Sequence, residues 1–155
     1  MKRILFDCGT RDTTASIGIL ALRLMTGLMM LIGHGLPKLK NYAMMKDKFE
    51  MNVYPFQHFA SSVNLMMCIA AEAGAAALIV MGLCTRPAAF VLGFTMVVAA
   101  FGVHGGDVWF MAQGAPAAKE PALLYLIPMI AIILTGGGAF SLDAAIYKEG
   151  KRRRW

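Results

Sequence analysis

Residues 59–83, FASSVNLMMCIAAEAGAAALIVMGL, form an apolar run whose single charged residue, Glu72, sits near its middle. A run of this length crosses a bilayer as a helix, which takes about 20 residues. An acidic side chain at the centre of an inserted helix costs on the order of 2.5–3.5 kcal/mol. Such a residue needs a partner, a proton or a water-filled cavity. Ala70, Ala71, Ala73, Gly74, Ala75, Ala76 and Ala77 surround it, and small residues let neighbouring helices approach closely. The run therefore predicts a helix whose Glu72 points into a bundle, with a functional polar site built around it.

Three more apolar runs, 15–36, 87–106 and 121–142, accompany it. The chain is 58% hydrophobic and 15% charged, with mean hydropathy +0.61, whereas a soluble domain carries about 25% charged residues. The fold class that follows is an all-α integral membrane four-helix bundle over residues 15–142. It is preceded by a polar tail, 1–14, and followed by a basic tail, 143–155. The first tail resembles the start of a signal peptide, but the run after it is too long, contains Arg23 and lacks a small-x-small cleavage site. Residues 37–58 mix lysines with Tyr42, Phe49, Tyr54 and Phe56, which suits an interfacial amphipathic segment or a solvated loop. The turn Cys84-Thr85-Arg86-Pro87 is short, so spans two and three should be antiparallel neighbours. Glu120-Pro121 reads as a helix start, and Pro128 as a kink.

An even number of spans puts both termini on one side. Lys2, Arg3, Arg11, Arg86, Lys148, Lys151, Arg152, Arg153 and Arg154 then share that side, against Lys38, Lys40, Lys46, Lys48 and Lys119 on the other. Positive charge concentrates on cytoplasmic segments, so both termini are expected in the cytoplasm. The net charge of +6 reads as a topology and lipid-headgroup signal. Nucleic acid is not an expected partner, because no fold with a stable basic groove accompanies the charge. Cys8, Cys68 and Cys84 are scattered and form no CxxC, which describes neither a disulfide framework nor a zinc site.

The polar residues within the spans fall into two tiers. At about 100° per residue, Arg23, Gly27, His34 and Lys38 share one helix face, although Pro37 should end or bend the helix before Lys38. Arg23 lies ~12 Å and Glu72 ~16 Å from the cytoplasmic ends of their spans, so an Arg23–Glu72 pair is expected. It is either a structural neutralisation that fixes register or the flank of a substrate or proton path. The second tier, His34, Lys38, His104 and Glu120, converges at the opposite end. It reads as a proton-transfer or anionic-headgroup site, or as interfacial anchors; a metal site is not expected from such loose spacing. No GxGxxG, CxxCH, iron–sulfur cysteine run or Walker loop is present. A redox role would need a diffusible carrier such as a quinone, or a cofactor on a partner.

These motifs, in order, resemble the DoxX family of small four-helix bacterial membrane proteins. The resemblance rests on R-L-x-x-G (Arg23, Leu24, Gly27), H-G-x-x-K (His34, Gly35, Lys38) and E-x-G (Glu72, Gly74). It continues with G-L-x-T-R-x-A-A (Gly82, Leu83, Thr85, Arg86, Ala88, Ala89), His104 and K-E-x-A-L-L-Y (Lys119, Glu120, Ala122, Leu123, Leu124, Tyr125). It ends with G-x-G-x-x-S-L-D (Gly136, Gly138, Ser141, Leu142, Asp143). The resemblance implies a multi-pass protein of the bacterial cytoplasmic membrane. By analogy with a thiosulfate:quinone oxidoreductase subunit type, it also implies a component of a quinone-linked or oxidative-stress redox system. Arg23, His34, Lys38, Glu72, Arg86, His104 and Glu120 are the candidate functional residues, with quinone, a redox partner and a second copy of the chain as candidate associates. The other readings are a non-enzymatic adaptor or assembly subunit and a small-solute or proton transporter. A quinone-sized cavity beside Glu72 or His104 would favour the redox reading, a sealed bundle the adaptor, and a continuous polar path the transporter.

Overall fold

The computed structural model describes residues 9–10, 12–112 and 116–146; the expected tails lie largely outside the described residues. The described chain is helical, with long helices α1, Thr13–Lys40; α3, Ser61–Met81; α4, Thr85–Val103; and α5, Glu120–Thr135, and a short α2, Tyr42–Met45. Three of these, α1, α3 and α4, are long and apolar enough to cross a membrane. Together they make a helical membrane bundle.

Each helix boundary has a local cause. Asp12 caps α1, its Oδ1 accepting from Ala15 N at 2.7 Å. Of the two expected effects of Pro37, an end or a bend before Lys38, α1 does not show the end; it runs through to Lys40. The reason is a π-helical segment, Leu31–Gly35, where Leu36 N donates to Leu31 O. The wider turn accommodates a proline that has no N–H to give. α3 ends at Gly82, in the left-handed region at φ +70°. Leu83 N reaches back to Leu78 O at 3.0 Å and Gly82 N to Ile79 O at 3.1 Å, a Schellman closure. α4 starts at Thr85 rather than Pro87, because Asp143 caps it from across the chain. Its carboxylate accepts from Cys84 N (2.8 Å), Thr85 N (2.9 Å) and Thr85 Oγ1 (2.6 Å). α5 ends at Thr135, earlier than the expected 142, because Gly136 and Gly138 break it at positive φ. Residues 142–146 are helical again.

The α3–α4 turn, the start of α1 and the chain after α5 meet at one end of the bundle, the turn end. Ser16 Oγ accepts there from Ala139 N at 3.1 Å. The two long connections lie at the other, the loop end. Between them runs the apolar core, with Met30, Ala76, Ile79, Leu92, Met96, Met129 and Ile132 almost fully buried. Large apolar side chains such as Met25, Phe90, Phe94, Leu124 and Leu134 point outwards, as a lipid-facing surface requires.

Candidate functional site

Arg23 and Glu72 do not pair. Arg23 is 1% exposed and belongs to the turn end, where its guanidinium gathers backbone carbonyls. Nε donates to Ile79 O (2.9 Å), Nη2 to Val80 O (3.1 Å), and Nη1 to Gly137 O and to Phe140 O (3.2 Å). Two of these carbonyls belong to the last turn of α3, where Ile79 O otherwise has only the Gly82 N–H of the Schellman closure; two belong to the break after α5. Arg23 is thus a latch joining three segments. The expectation failed on register: Gly27 packs on Ala76 and Val80, so Arg23 faces the end of α3 while Glu72 lies about two turns away.

Glu72 pairs instead with Lys38. Lys38 Nζ donates to both carboxylate oxygens, to Oε1 at 2.6 Å, and to Cys68 Sγ at 3.4 Å. Cys68 Sγ in turn lies 3.3 Å from Glu72 Oε1. The pair exists because α1 continues past Pro37, and because a second π segment, Ala70–Ala75, carries Glu72. The two π segments touch: a Cβ on Gly35 would stand 2.7 Å from Ala73 N and Glu72 O. A third π segment, Val98–Val103, ends α4 just before His104. π turns inside long helices recur at functional sites, and here all three border one cavity.

That cavity encloses about 650 Å³ at the loop end, within the range of small-molecule sites. Its walls are mainly apolar: Met30, Phe56, Met67, Phe90, Phe94 and Met96 among others. The polar side chains on it are His34, Lys38, Asn64, Cys68, Glu72, Thr95, His104 and Tyr125. Phe90 and Phe94 line it while being 63% and 53% exposed, so it reaches the lipid-facing surface of α4. Both long connections cover its far side. Phe49, Met51 and Phe56 come from the first, Met111, Pro116 and Ala118 from the second. The 37–58 connection therefore turns aromatics inwards and is not merely a solvated loop.

The expected second tier is split. Lys38 joins Glu72. His34 packs edge-on to Tyr125, ring centroids 5.6 Å apart. His104 Nδ1 lies 2.7 Å from Asp107 Oδ2. Glu120 accepts from Met111 N at 2.7 Å and anchors the second connection rather than lining the cavity. Arg86 lies at the start of α4, one residue beyond the Asp143 cap, at the opposite end from the cavity. Among the described residues no group of three His, Cys, Asp or Glu side chains is placed to hold a metal. Sequence reasoning missed Asn64 and Tyr125 as site residues, and Asp143 as the cap. It used Lys119 only in the charge count across the membrane and in the K-E-x-A-L-L-Y motif. Lys119 is 8% exposed, its Nζ 4.7 Å over the Trp109 ring. The i, i+4, i+8 spacing of Asn64, Cys68 and Glu72 was the available signal for the polar stripe on α3.

Apolar helices of spanning length around a part-buried ion pair define a helical membrane protein. The DoxX family profile matches residues 18–105, more than half of the chain, and the chain belongs to that family. A Haemophilus influenzae protein described as uncharacterized is 37% identical over 76 residues, covering 46% of this chain and 54% of the relative. The chain thus spans about half the length of the curated relative it matches. No solved structure matches. The K-E-x-A-L-L-Y and S-L-D motifs lie beyond the matched residues.

Proposed function

We propose that this chain is a component of a quinone-linked redox system of the bacterial cytoplasmic membrane, with both termini in the cytoplasm, and that the cavity receives the quinone head group. One observation carries the reading: the Lys38–Glu72 pair stands in the wall of an apolar cavity of about 650 Å³ that reaches the lipid-facing surface. A quinone partitions into lipid and presents two polar oxygens on a flat apolar ring. An apolar chamber with a few convergent polar groups is the environment that recognises such a molecule. The loop-end polar groups also suit the proton half of the chemistry. Oxidation of a quinol to the quinone releases two electrons and two protons. Glu72, ion-paired with Lys38, is placed to accept one hydroxyl proton; the second leaves to water at the loop end, and the two electrons leave for a carrier on a partner protein.

The adaptor reading draws support from Arg23, whose four backbone contacts give it a structural task. It suits the turn end and leaves the open cavity unexplained. Transport draws less support, since Met30, Ala76, Ile79 and Met96 fill the interior between Arg23 and Glu72. The test is purification of the full chain in mild detergent, followed by mass spectrometry of bound lipids and proteins. Recovery of near-stoichiometric quinone is the expected result. Recovery of neither quinone nor a redox partner overturns the proposal.

A further inference from the structure

The hydrogen-bonding capacity left over along α3 indicates which form of the ligand the cavity prefers. Asn64 lines the cavity and is 2% exposed. Its Nδ2 donates to Phe56 O at 3.0 Å, which fixes the orientation of the amide. Its Oδ1 has no hydrogen-bond partner among the described residues. A buried amide oxygen left unpaired is costly and asks for a donor.

The other end of the stripe carries the same sign. Glu72 stands eight residues on, ~12 Å along the helix, with Cys68 between them. An ammonium has three donors, and Lys38 directs them to the two Glu72 oxygens and to Cys68 Sγ. No donor remains on Lys38, whereas the carboxylate, with about four lone-pair sites, still has acceptor capacity. His34 on α1 and Tyr125 on α5 can each donate or accept, so they do not decide the preference. His104 Nδ1 is engaged by Asp107. The α3 wall therefore offers acceptors at both ends. A quinone brings acceptors alone; a para-quinol brings a hydroxyl donor at each end of its ring.

Resting on the quinone reading above, we infer that the cavity selects the reduced, hydroxyl-bearing form of its ligand, one hydroxyl donating to Asn64 Oδ1 and the other to Glu72. Asn64 is then the second anchor of the head group and sets its oxidation-state preference.

The test compares a short-chain benzoquinone with its quinol, under anaerobic conditions, on the full chain in lipid nanodiscs. The quinol is expected to bind about tenfold more tightly, the difference one satisfied buried acceptor makes. For this two-electron couple that ratio raises the bound midpoint potential by about 30 mV. Asn64→Leu, which has no acceptor, should bring the two affinities together. Asn64→Asp, which keeps an oxygen at the site, should keep the preference. Equal or tighter binding of the quinone by the unaltered protein overturns the inference while leaving the quinone reading standing. Binding of neither form overturns both. Should Asn64→Leu fail to fold, the ratio for the unaltered protein and for Asn64→Asp still decides. A preference that survives in a folded Asn64→Leu also overturns the assignment to Asn64.

Discussion

Arg23 and Glu72 show how differently two buried charges can be used. Arg23 satisfies the carbonyls of Val80, Gly137 and Phe140 and adds a second donor to Ile79 O, in a bundle where each unsatisfied group costs about 1–3 kcal/mol. Arg23→Leu should therefore lower stability by about 3 kcal/mol or more, read as a fall in thermal midpoint in detergent, while the folded fraction keeps its quinone affinity. Arg23→Lys should rescue little, since a point charge cannot replace a planar fork on carbonyls of two segments. Glu72→Gln should show the complementary pattern. The helix remains, Lys38 loses its counter-charge, and quinol affinity falls by about tenfold, the loss of one charge-assisted contact. A titration of the variant with a short-chain quinol, against circular dichroism for folding, checks both halves. If Glu72→Gln instead unfolds and Arg23→Leu instead abolishes binding in folded protein, the two roles are exchanged.

At the scale of elements, the apolar runs behind α1, α3 and α4, the antiparallel pairing of α3 with α4 and the burial of Glu72 were legible, because hydropathy over 20 residues reports directly on bilayer crossing; α5, at 16 residues, is shorter than the run read for it. What was not legible is what the π segments change. A uniform 100° step places His34 on the face of Arg23 and Gly27. The π turn Leu31–Gly35 puts Gly35 there instead and leaves His34 exposed towards Tyr125. It also carries the helix past Pro37, so Lys38 rather than Arg23 meets the acid. Propensity rules see a proline as a stop and have no sign for the wider turn before it. The Asp143 cap was equally hidden, since it bonds residues 58 and 59 positions away. Asp143→Ala should cost about 1–2 kcal/mol, the value of a lost N-cap at a favourable helix end, measured as a shift in the thermal midpoint. Gly35→Ala should be harsher on function than on fold. Its Cβ would meet α3 backbone at 2.7 Å, forcing α1 away from α3 and parting Lys38 from Glu72. Quinol binding should weaken while helicity is kept.

For the whole molecule, the two ends divide the work. The turn end is closed by Arg23, Asp143 and the Schellman turn at Gly82, where a Cβ would lie 2.5 Å from Arg23 Nη2. The loop end is opened by π turns into a chamber roofed by both long connections and reached from the side by α4. A rigid base under a ligand-sized cavity is an arrangement in which a lipid-soluble molecule can enter while the bundle holds its register. The family membership fixes the architecture and leaves the chemistry to be read from the site. The most direct test is photoaffinity labelling in native membranes with an azido-quinone, followed by peptide mapping. The account predicts label on the cavity walls of α3 and α4, at residues such as Met67, Cys68, Phe90 and Phe94, displaced by excess unlabelled quinol. Label confined to lipid-facing side chains away from the cavity, such as Met25 and Met29, or label that excess quinol does not displace, would contradict it.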